Sequence, residues 1–302
     1  MKRIVLLVET PFQLLCAAEA IDYFGSPYLL VIRFSGVGRN DKQLKSVAKY
    51  LGLSYSGMNA NKNFPYIGVL GFFLKNIPYF FVRYDSIFQG SYFSRLQRLV
   101  VKFFMAKQHY YMDDGVATFL YQKNFACSSP NNLFTIFDLD PVCNQEIVRN
   151  RLALLSKKLD VTSKSEGPGY FIGQPLVQKE MVGLKDYVSL IERAKTDSGG
   201  QIVYIPHRSE EKEILGVYQN IEGVFIKEID ESIEIYLVKN NFFPKKVYGV
   251  VSTALYSLSI IYPDSEFFFI LPESADLKEA PHYEEVIAAA YKIKNASVIR
   301  IP

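Results

Sequence analysis

Residues 1–21 read MKRIVLLVETPFQLLCAAEAI, and how they are parsed decides the fold. The first residues imitate a secretory signal. Glu9 and Pro11 interrupt the apolar run, however, and no uninterrupted stretch of about 18 apolar residues occurs anywhere in the chain. The stretch reads instead as a buried strand from Arg3 to Val8, then a helix with Thr10 as N-cap and Pro11 at its first position. A cytoplasmic protein is expected. The next apolar run, Tyr28 to Phe34, empties into Ser35-Gly36-Val37-Gly38-Arg39-Asn40 before a polar helical stretch, which makes the opening a βαβ unit. Gly36 and Gly38 resemble the start of a dinucleotide fingerprint, but position 41 is Asp where a third glycine belongs, so a flexible cleft loop is the better reading.

With 302 residues, 49% of them hydrophobic, the chain can build two lobes with large cores. Its 34 Lys and Arg against 31 Asp and Glu leave a net charge of +3, too balanced for a nucleic-acid partner recognised by bulk charge. Cys16, Cys127 and Cys143 are odd in number and widely spaced, which suits reduced thiols and offers no metal-ligand spacing. One segment departs from the balance. Between 62 and 107, Lys62, Lys75, Arg83, Arg95, Arg98, Lys102 and Lys107 stand against Asp85 alone, amid aromatic residues. Arg95, Arg98 and Lys102 recur at helical spacing beside Leu96, Leu99, Val100 and Phe103, an amphipathic helix whose basic rim either faces water or docks onto anionic lipid or acceptor.

Asn144 to Leu159 reads as a helix, and Asp160 to Gly169, DVTSKSEGPG, as the linker between lobes. A second alternating series follows: strands at Tyr170 to Gly173, Gln201 to Ile205, Val224 to Ile226, Val247 to Val251, Glu266 to Leu271 and Val298 to Ile301. Helices fall between them, among them Lys185 to Lys195 and Glu210 to Gln219. The expected architecture is α/β, two Rossmann-like domains facing a central cleft, with 1–162 on the acceptor side and 163–302 binding the nucleotide.

Chemistry concentrates where strands end. His109 to Thr118, HYYMDDGVAT, closes a strand on Tyr110 and Tyr111, and Gly115 supplies a sharp exit. In extended backbone Asp113 and Asp114 point to opposite sides, so one carboxylate can face a cleft while its neighbour bonds the turn. In the second lobe, Gln201 to Ile205 ends in Pro206-His207-Arg208-Ser209. Ligands sit beyond the carboxyl ends of strands in such sheets, and Arg208 with the following helix start favours an anion that would hold His207 protonated. Val247 to Val251 likewise ends in Ser252-Thr253, two hydroxyls able to cap a helix and grip a phosphate. Asp138-Leu139-Asp140 is an Asp-x-Asp of the kind that can hold a divalent cation under a nucleotide-sugar diphosphate.

The set Asp113-Asp114-Gly115, Pro206-His207 and Ser252-Thr253 resembles the bacterial sialyltransferases of glycosyltransferase family 52. That resemblance implies a GT-B fold and an inverting, metal- and cofactor-independent transfer of sialic acid from CMP-sialic acid. The acceptor would be a terminal sugar (galactose, α-2,3) of a bacterial surface glycan, lipooligosaccharide or capsule. It assigns Asp114 as general base, His207 as the group that binds or protonates the leaving phosphate, and Ser252 and Thr253 as its holders. Glu234 would bind the cytidine ribose. Gly173-Gln174, a recurrent family segment, and Arg208, which stands where many relatives have proline, would lie at the CMP-sugar, and Asp113, Gly36 and Thr10 on the acceptor side. The partners are a nucleotide-sugar donor and a glycan acceptor, with peripheral contact of 62–107 with the inner face of an anionic membrane and a homodimer as further options. The alternatives are a GT-B glycosyltransferase using another nucleotide sugar such as a glucosyl donor, a metal-dependent transferase built on Asp138 and Asp140, and a catalytically silent glycan- or lipid-docking protein.

Overall fold

The computed structural model describes residues 3–25, 27–61, 65–129, 131–160, 165–272 and 283–301. The boundary expected at 162/163 therefore lies outside the described residues. Two units emerge, one from Met1–Leu154 with Asp230–Ser232, the other from Leu155–Ile229 and Ile233–Pro302.

The first unit grows from the parsed N-terminus. Strand β1, Ile4–Val8, is buried at every residue. Helix α1, Pro11–Phe24, starts as the sequence dictates: the Thr10 hydroxyl accepts from Gln13 N at 3.3 Å and Pro11 fills the first turn, while Gly25 closes the helix in left-handed conformation at φ 55°. The strands that follow are β2 (Tyr28–Phe34), β3 (Ser56–Asn59), β4 (Arg83–Gln89), β5 (Met105–Met112), β6 (Asn132–Thr135) and β7 (Ile147–Arg149), with helices α2 (Gly38–Leu51), α3 (Pro65–Phe80), α4 (Arg95–Val101) and α5 (Ala117–Asn124) among them. All seven strands pair in parallel in the order β3, β2, β1, β4, β5, β6, β7. A short helix, α6 (Ala153–Ser156), leads out.

The second unit repeats the plan. Its six-stranded parallel sheet runs β11 (Val224–Ile226), β10 (Ile202–Ile205), β9 (Tyr170–Ile172), β13 (Lys246–Gly249), β14 (Glu266–Pro272), β15 (Ala296–Ile301). A two-stranded ribbon joins β8 (Ser165–Gly167) and β12 (Phe242–Pro244). Helices α7 (Leu184–Asp197), α8 (Lys212–Gln219), α9 (Ile233–Lys239), α10 (Thr253–Ile261) and α11 (Tyr283–Ala290) connect them. Both sheets follow the doubly wound order in which the strand sequence reverses once, between β1 and β4 in the first unit and between β9 and β13 in the second. Side chains outside the carboxyl ends of those strands are the ones the fold offers to a ligand.

Two expectations fail. Asn144 to Leu159 is not one helix, because Ile147–Arg149 extends to pair with Leu133–Thr135 as β7, and Leu152 sits at φ 47°, which a helix does not tolerate. Nor are all three cysteines thiols: Cys127 and Cys143 are joined by a disulfide that ties the turn after α5 to the segment before β7, while Cys16 is buried in α1. Among the described residues no helix is long and apolar enough to cross a membrane.

Helix α3 is held by an unusually close backbone approach. A Cβ on Gly68 would fall 1.7 Å from the Asn59 carbonyl oxygen at the end of β3, so the inner face of α3, Val69, Phe72 and Asn76, sinks into the first unit. Asn76 leaves helical geometry at φ −115°, two residues before Pro78; its amide donates to Phe72 O at 2.8 Å and its Oδ1 accepts from the Ser56 hydroxyl at 3.0 Å. Gly68→Ala is expected to destabilise the protein by about 2–4 kcal/mol, since backbone rather than a flexible side chain must give way. Gly71→Ala, which meets nothing within 4 Å, should be neutral or stabilising by up to about 1 kcal/mol. Urea unfolding of the two variants checks the pair.

Candidate active site at the strand ends

In the second unit three strand ends converge on the reversal point. After β9, Gln174 spans to the end of β13 with both groups of its amide: Nε2 donates to Val251 O at 2.7 Å and Oε1 accepts from Val251 N at 2.8 Å. Its own N–H donates to the Tyr187 hydroxyl at 3.0 Å. Gly173 precedes it for want of room, because a Cβ there would lie 2.4 Å from Glu210 Oε2 and 2.5 Å from the Tyr204 hydroxyl. Glu210 is itself buried; Tyr204 OH donates to its Oε1 at 2.6 Å and the His207 N–H to its Oε2 at 2.6 Å. Burial is the main cause raising the Tyr204 and Tyr187 hydroxyls above their ordinary pKa, so both remain protonated donors at neutral pH.

His207 follows β10 and Pro206, and its Nδ1 accepts from the Ser209 N–H at 3.1 Å. With Nδ1 accepting there, the neutral ring carries its proton on Nε2, which can donate. Ser252 caps α10, its hydroxyl accepting from Ala254 N at 3.3 Å, and Thr253 opens the helix. Arg208 is exposed. Glu234 is 3% exposed, and its Oε1 accepts from the Ser257 hydroxyl at 2.5 Å, which joins α9 to α10. Gly173 and Gln174 thus shape the strand ends, with Ser252, Thr253 and His207 presented around them.

In the first unit the two aspartates diverge as extended backbone requires. Asp113 is fully buried; Oδ1 accepts from the Thr135 hydroxyl at 2.6 Å and the Thr118 hydroxyl at 3.3 Å, and Oδ2 from the Ile136 N–H at 2.7 Å. Burial pushes its carboxyl up to about 6, and those three donors hold it from rising further. Asp114, half-buried, accepts at Oδ1 from the Gln13 side-chain amide at 2.6 Å. Gln13 is fully buried and also accepts from Glu9 N at 2.9 Å, in a slot kept open by Gly90, where a Cβ would come within 2.4 Å of the amide oxygen. Beside them Arg33 pairs with Glu9 at 2.6 Å, and the Ser94 hydroxyl donates to the same carboxylate oxygen at 3.1 Å. Tyr92, Phe93, Tyr111 and Tyr121 wall the Asp114 side.

The β2–α2 loop is filled from within. Asp41 accepts from Ser35 N at 3.1 Å and from Gly36 N at 2.9 Å, so its carboxylate takes the amides a phosphate would use. Gly36 adopts φ 79° and Thr10 serves α1 as its cap. Asp138 and Asp140 stand exposed after β6, and among the described residues no three His, Cys, Asp or Glu side chains gather as metal ligands would.

Sequence reasoning missed Gln13, Glu210 and the Tyr187–Tyr204 pair. A signal for Glu210 was present, because His207-x-x-Glu210 has the spacing by which a side chain three residues into a turn reaches back to its start, whereas Gln13 reaches one residue further, to Glu9 N.

No family model matches the chain, and no curated protein matches it in sequence. Solved structures do match in fold. UDP-GlcNAc 2-epimerase of Methanocaldococcus jannaschii, solved with UDP-GlcNAc and UDP, superposes with a TM-score of 0.57 at 12% identity over 98% of this chain and 94% of that one. The Neisseria meningitidis UDP-GlcNAc 2-epimerase bound to UDP-GlcNAc gives 0.58 at 11% identity over 99% and 87%. Heptosyltransferase WaaC of E. coli with ADP gives 0.50 at 12% identity over 99% and 93%. The chain has the GT-B fold of these proteins.

These neighbours overturn the expected membership of glycosyltransferase family 52 and, with it, the sialyltransferase reading with CMP-sialic acid as donor and lipooligosaccharide or capsule as acceptor. Asp-Asp-Gly, Pro-His and Ser-Thr are short, and each encodes a strand-to-turn geometry common to doubly wound sheets. Such turns lie at the strand ends of this fold whatever the ligand, and do not say which base a nucleotide carries.

Asp113 makes stability depend on pH with a defined sign. Its carboxyl is protonated more readily folded, up to about 6, than at its ordinary value of 3.8. The contribution is therefore fully present below about pH 4 and is lost as pH rises through about 6. Relative to Asp113→Asn, the wild type should lose roughly 3 kcal/mol between those limits, measured by denaturant unfolding across pH.

Proposed function

We propose that the chain is a GT-B glycosyltransferase drawing its sugar from a nucleoside diphosphate sugar, with UDP as the favoured nucleotide. The observation that carries this reading is the reversal point of the second sheet, where Ser252, Thr253 and the first amides of α10 stand at the strand ends spanned by Gln174. The helix dipole and the Thr253 N–H at that position favour a phosphate, and the two hydroxyls add donors to its oxygens, while Ala254 N is taken by the Ser252 cap. His207, whose Nδ1 is engaged by the Ser209 N–H, offers its Nε2 as a hydrogen-bond donor to a leaving diphosphate. The UDP-bound epimerases and the ADP-bound heptosyltransferase among its structural neighbours support a nucleoside diphosphate over a monophosphate.

In the first unit Asp114 is the group assigned to take the proton from the acceptor hydroxyl. Gln13 fixes its orientation through Oδ1, and Asp113 anchors the turn that carries it. Their division of labour follows from burial: the enclosed carboxylate bonds the fold and the half-buried one faces outward.

Asp114→Asn keeps the shape of the side chain and removes its basicity. Transfer of sugar from UDP-sugars, followed by mass spectrometry of the product, should fall about 100- to 10,000-fold in kcat with UDP affinity unchanged. A variant as fast as wild type would remove the assignment. A nucleotide-sugar epimerase is the second reading, favoured by the epimerases among those neighbours. It is distinguished by an isomerised UDP-sugar appearing with no acceptor present.

A further inference from the structure

Helix α3 presents an outer face that no part of the described structure covers. Tyr66, Ile67, Leu70, Leu74 and Ile77 are 70, 69, 60, 65 and 49% exposed, and Phe81, just past the helix, is 78% exposed. They recur along one side of the helix, opposite the buried Val69, Phe72 and Asn76. A surface helix normally turns charge to water; this one carries only Lys75 between Pro65 and Phe80. The face cannot roll inward, because Gly68 seats the helix against the Asn59 carbonyl.

Exposed cations lie on the helix and in the segments that follow it. Lys75 lies on the helix and Arg83 three residues beyond it, both exposed. Lys102 is exposed next to Phe103, whose ring meets that of Phe73 in α3 at 4.3 Å and is itself 49% exposed. Asp85 is the one acid between 65 and 107, and Lys107 pairs with it at 2.9 Å. A strip of Leu, Ile, Tyr and Phe edged by cations matches a helix lying in the interface of a bilayer with anionic headgroups. A second copy of the chain fits poorly, since it would press Lys75, Arg83 and Lys102 against their own counterparts.

We propose that the outer face of α3, with Lys75, Arg83 and Lys102, docks the protein on an anionic lipid surface. The Tyr and Leu side chains enter the headgroup boundary and the cations meet lipid phosphates. Each basic side chain near such a surface strengthens partition by about five-fold. This inference is independent of the sugar chemistry proposed above.

Flotation of the full chain with vesicles tests it. Binding to phosphatidylcholine vesicles containing phosphatidylglycerol should exceed binding to phosphatidylcholine alone by at least ten-fold and weaken at high salt. Lys75→Glu/Lys102→Glu and Leu70→Asn/Leu74→Asn should each reduce it by more than ten-fold. The chain holds no tryptophan, so Tyr66→Trp supplies a single reporter that brominated acyl chains should quench, a readout that holds even where the leucine pair lowers stability. Absence of flotation, flotation that both double variants retain, or an unquenched Trp would overturn the proposal. So would a wild-type dimer in solution that the leucine variant converts to monomer.

Discussion

Each sheet reverses its strand order once, and at each reversal a glutamine amide accepts from a backbone N–H that the strands themselves leave unpaired. Where neighbouring strands send their chains in opposite directions, backbone N–H and C=O groups at the carboxyl ends have no partner in the ladder. Gln174 answers this directly, giving one donor and one acceptor to the two polar groups of Val251. Glutamate could not donate and leucine could do neither. Gln13 works on the same principle with different partners, accepting from Glu9 N and donating to Asp114.

Much of the surrounding sequence follows from those two amides. Gly90 leaves room for Gln13, and Gly173 leaves room for Glu210 and Tyr204 beneath Gln174; a methyl at either position would meet a side chain at 2.4 Å. Tyr187 bonds the backbone of Gln174 and lies 3.3 Å, hydroxyl to hydroxyl, from Tyr204, whose ring stacks on Phe171 at 5.4 Å. Glu210 then fixes the His207 backbone at the neighbouring strand end. A buried polar chain of this kind is costly when broken at any link, which makes the loop conformation specific rather than merely stable. The geometry of the strand ends is thus set by side chains that need never touch a ligand.

The fold was legible because its signals are local. Thr10-Pro11 after Ile4–Val8 marks a strand feeding a helix, and the alternation beyond Tyr170 repeats it. The divergence of Asp113 and Asp114 was legible too, as it follows from the two-residue period of extended chain. Partners distant in sequence were not. Gln13 meets Asp114 across 101 positions and Gln174 meets Val251 across 77. The link between Cys127 and Cys143 depends on where β6 and β7 place their flanking turns. Asn144 to Leu159 misled because a short strand and a left-handed residue interrupt a helix-compatible composition. The nucleotide misled for another reason: phosphate-gripping turns are shared by enzymes of this fold whatever base they bind, so motifs at strand ends could suggest a nucleotide but not choose among nucleotides.

The Gln174 amide fixes the end of β13, where a nucleoside diphosphate site is proposed. Calorimetric titration of UDP, ADP and CMP into the wild type and into Gln174→Leu tests it most directly. The account predicts that UDP binds the wild type more tightly than CMP does, and binds the variant at least ten-fold more weakly while the variant still unfolds cooperatively. Equal UDP affinity in the two proteins, or a wild type that prefers CMP, would contradict it.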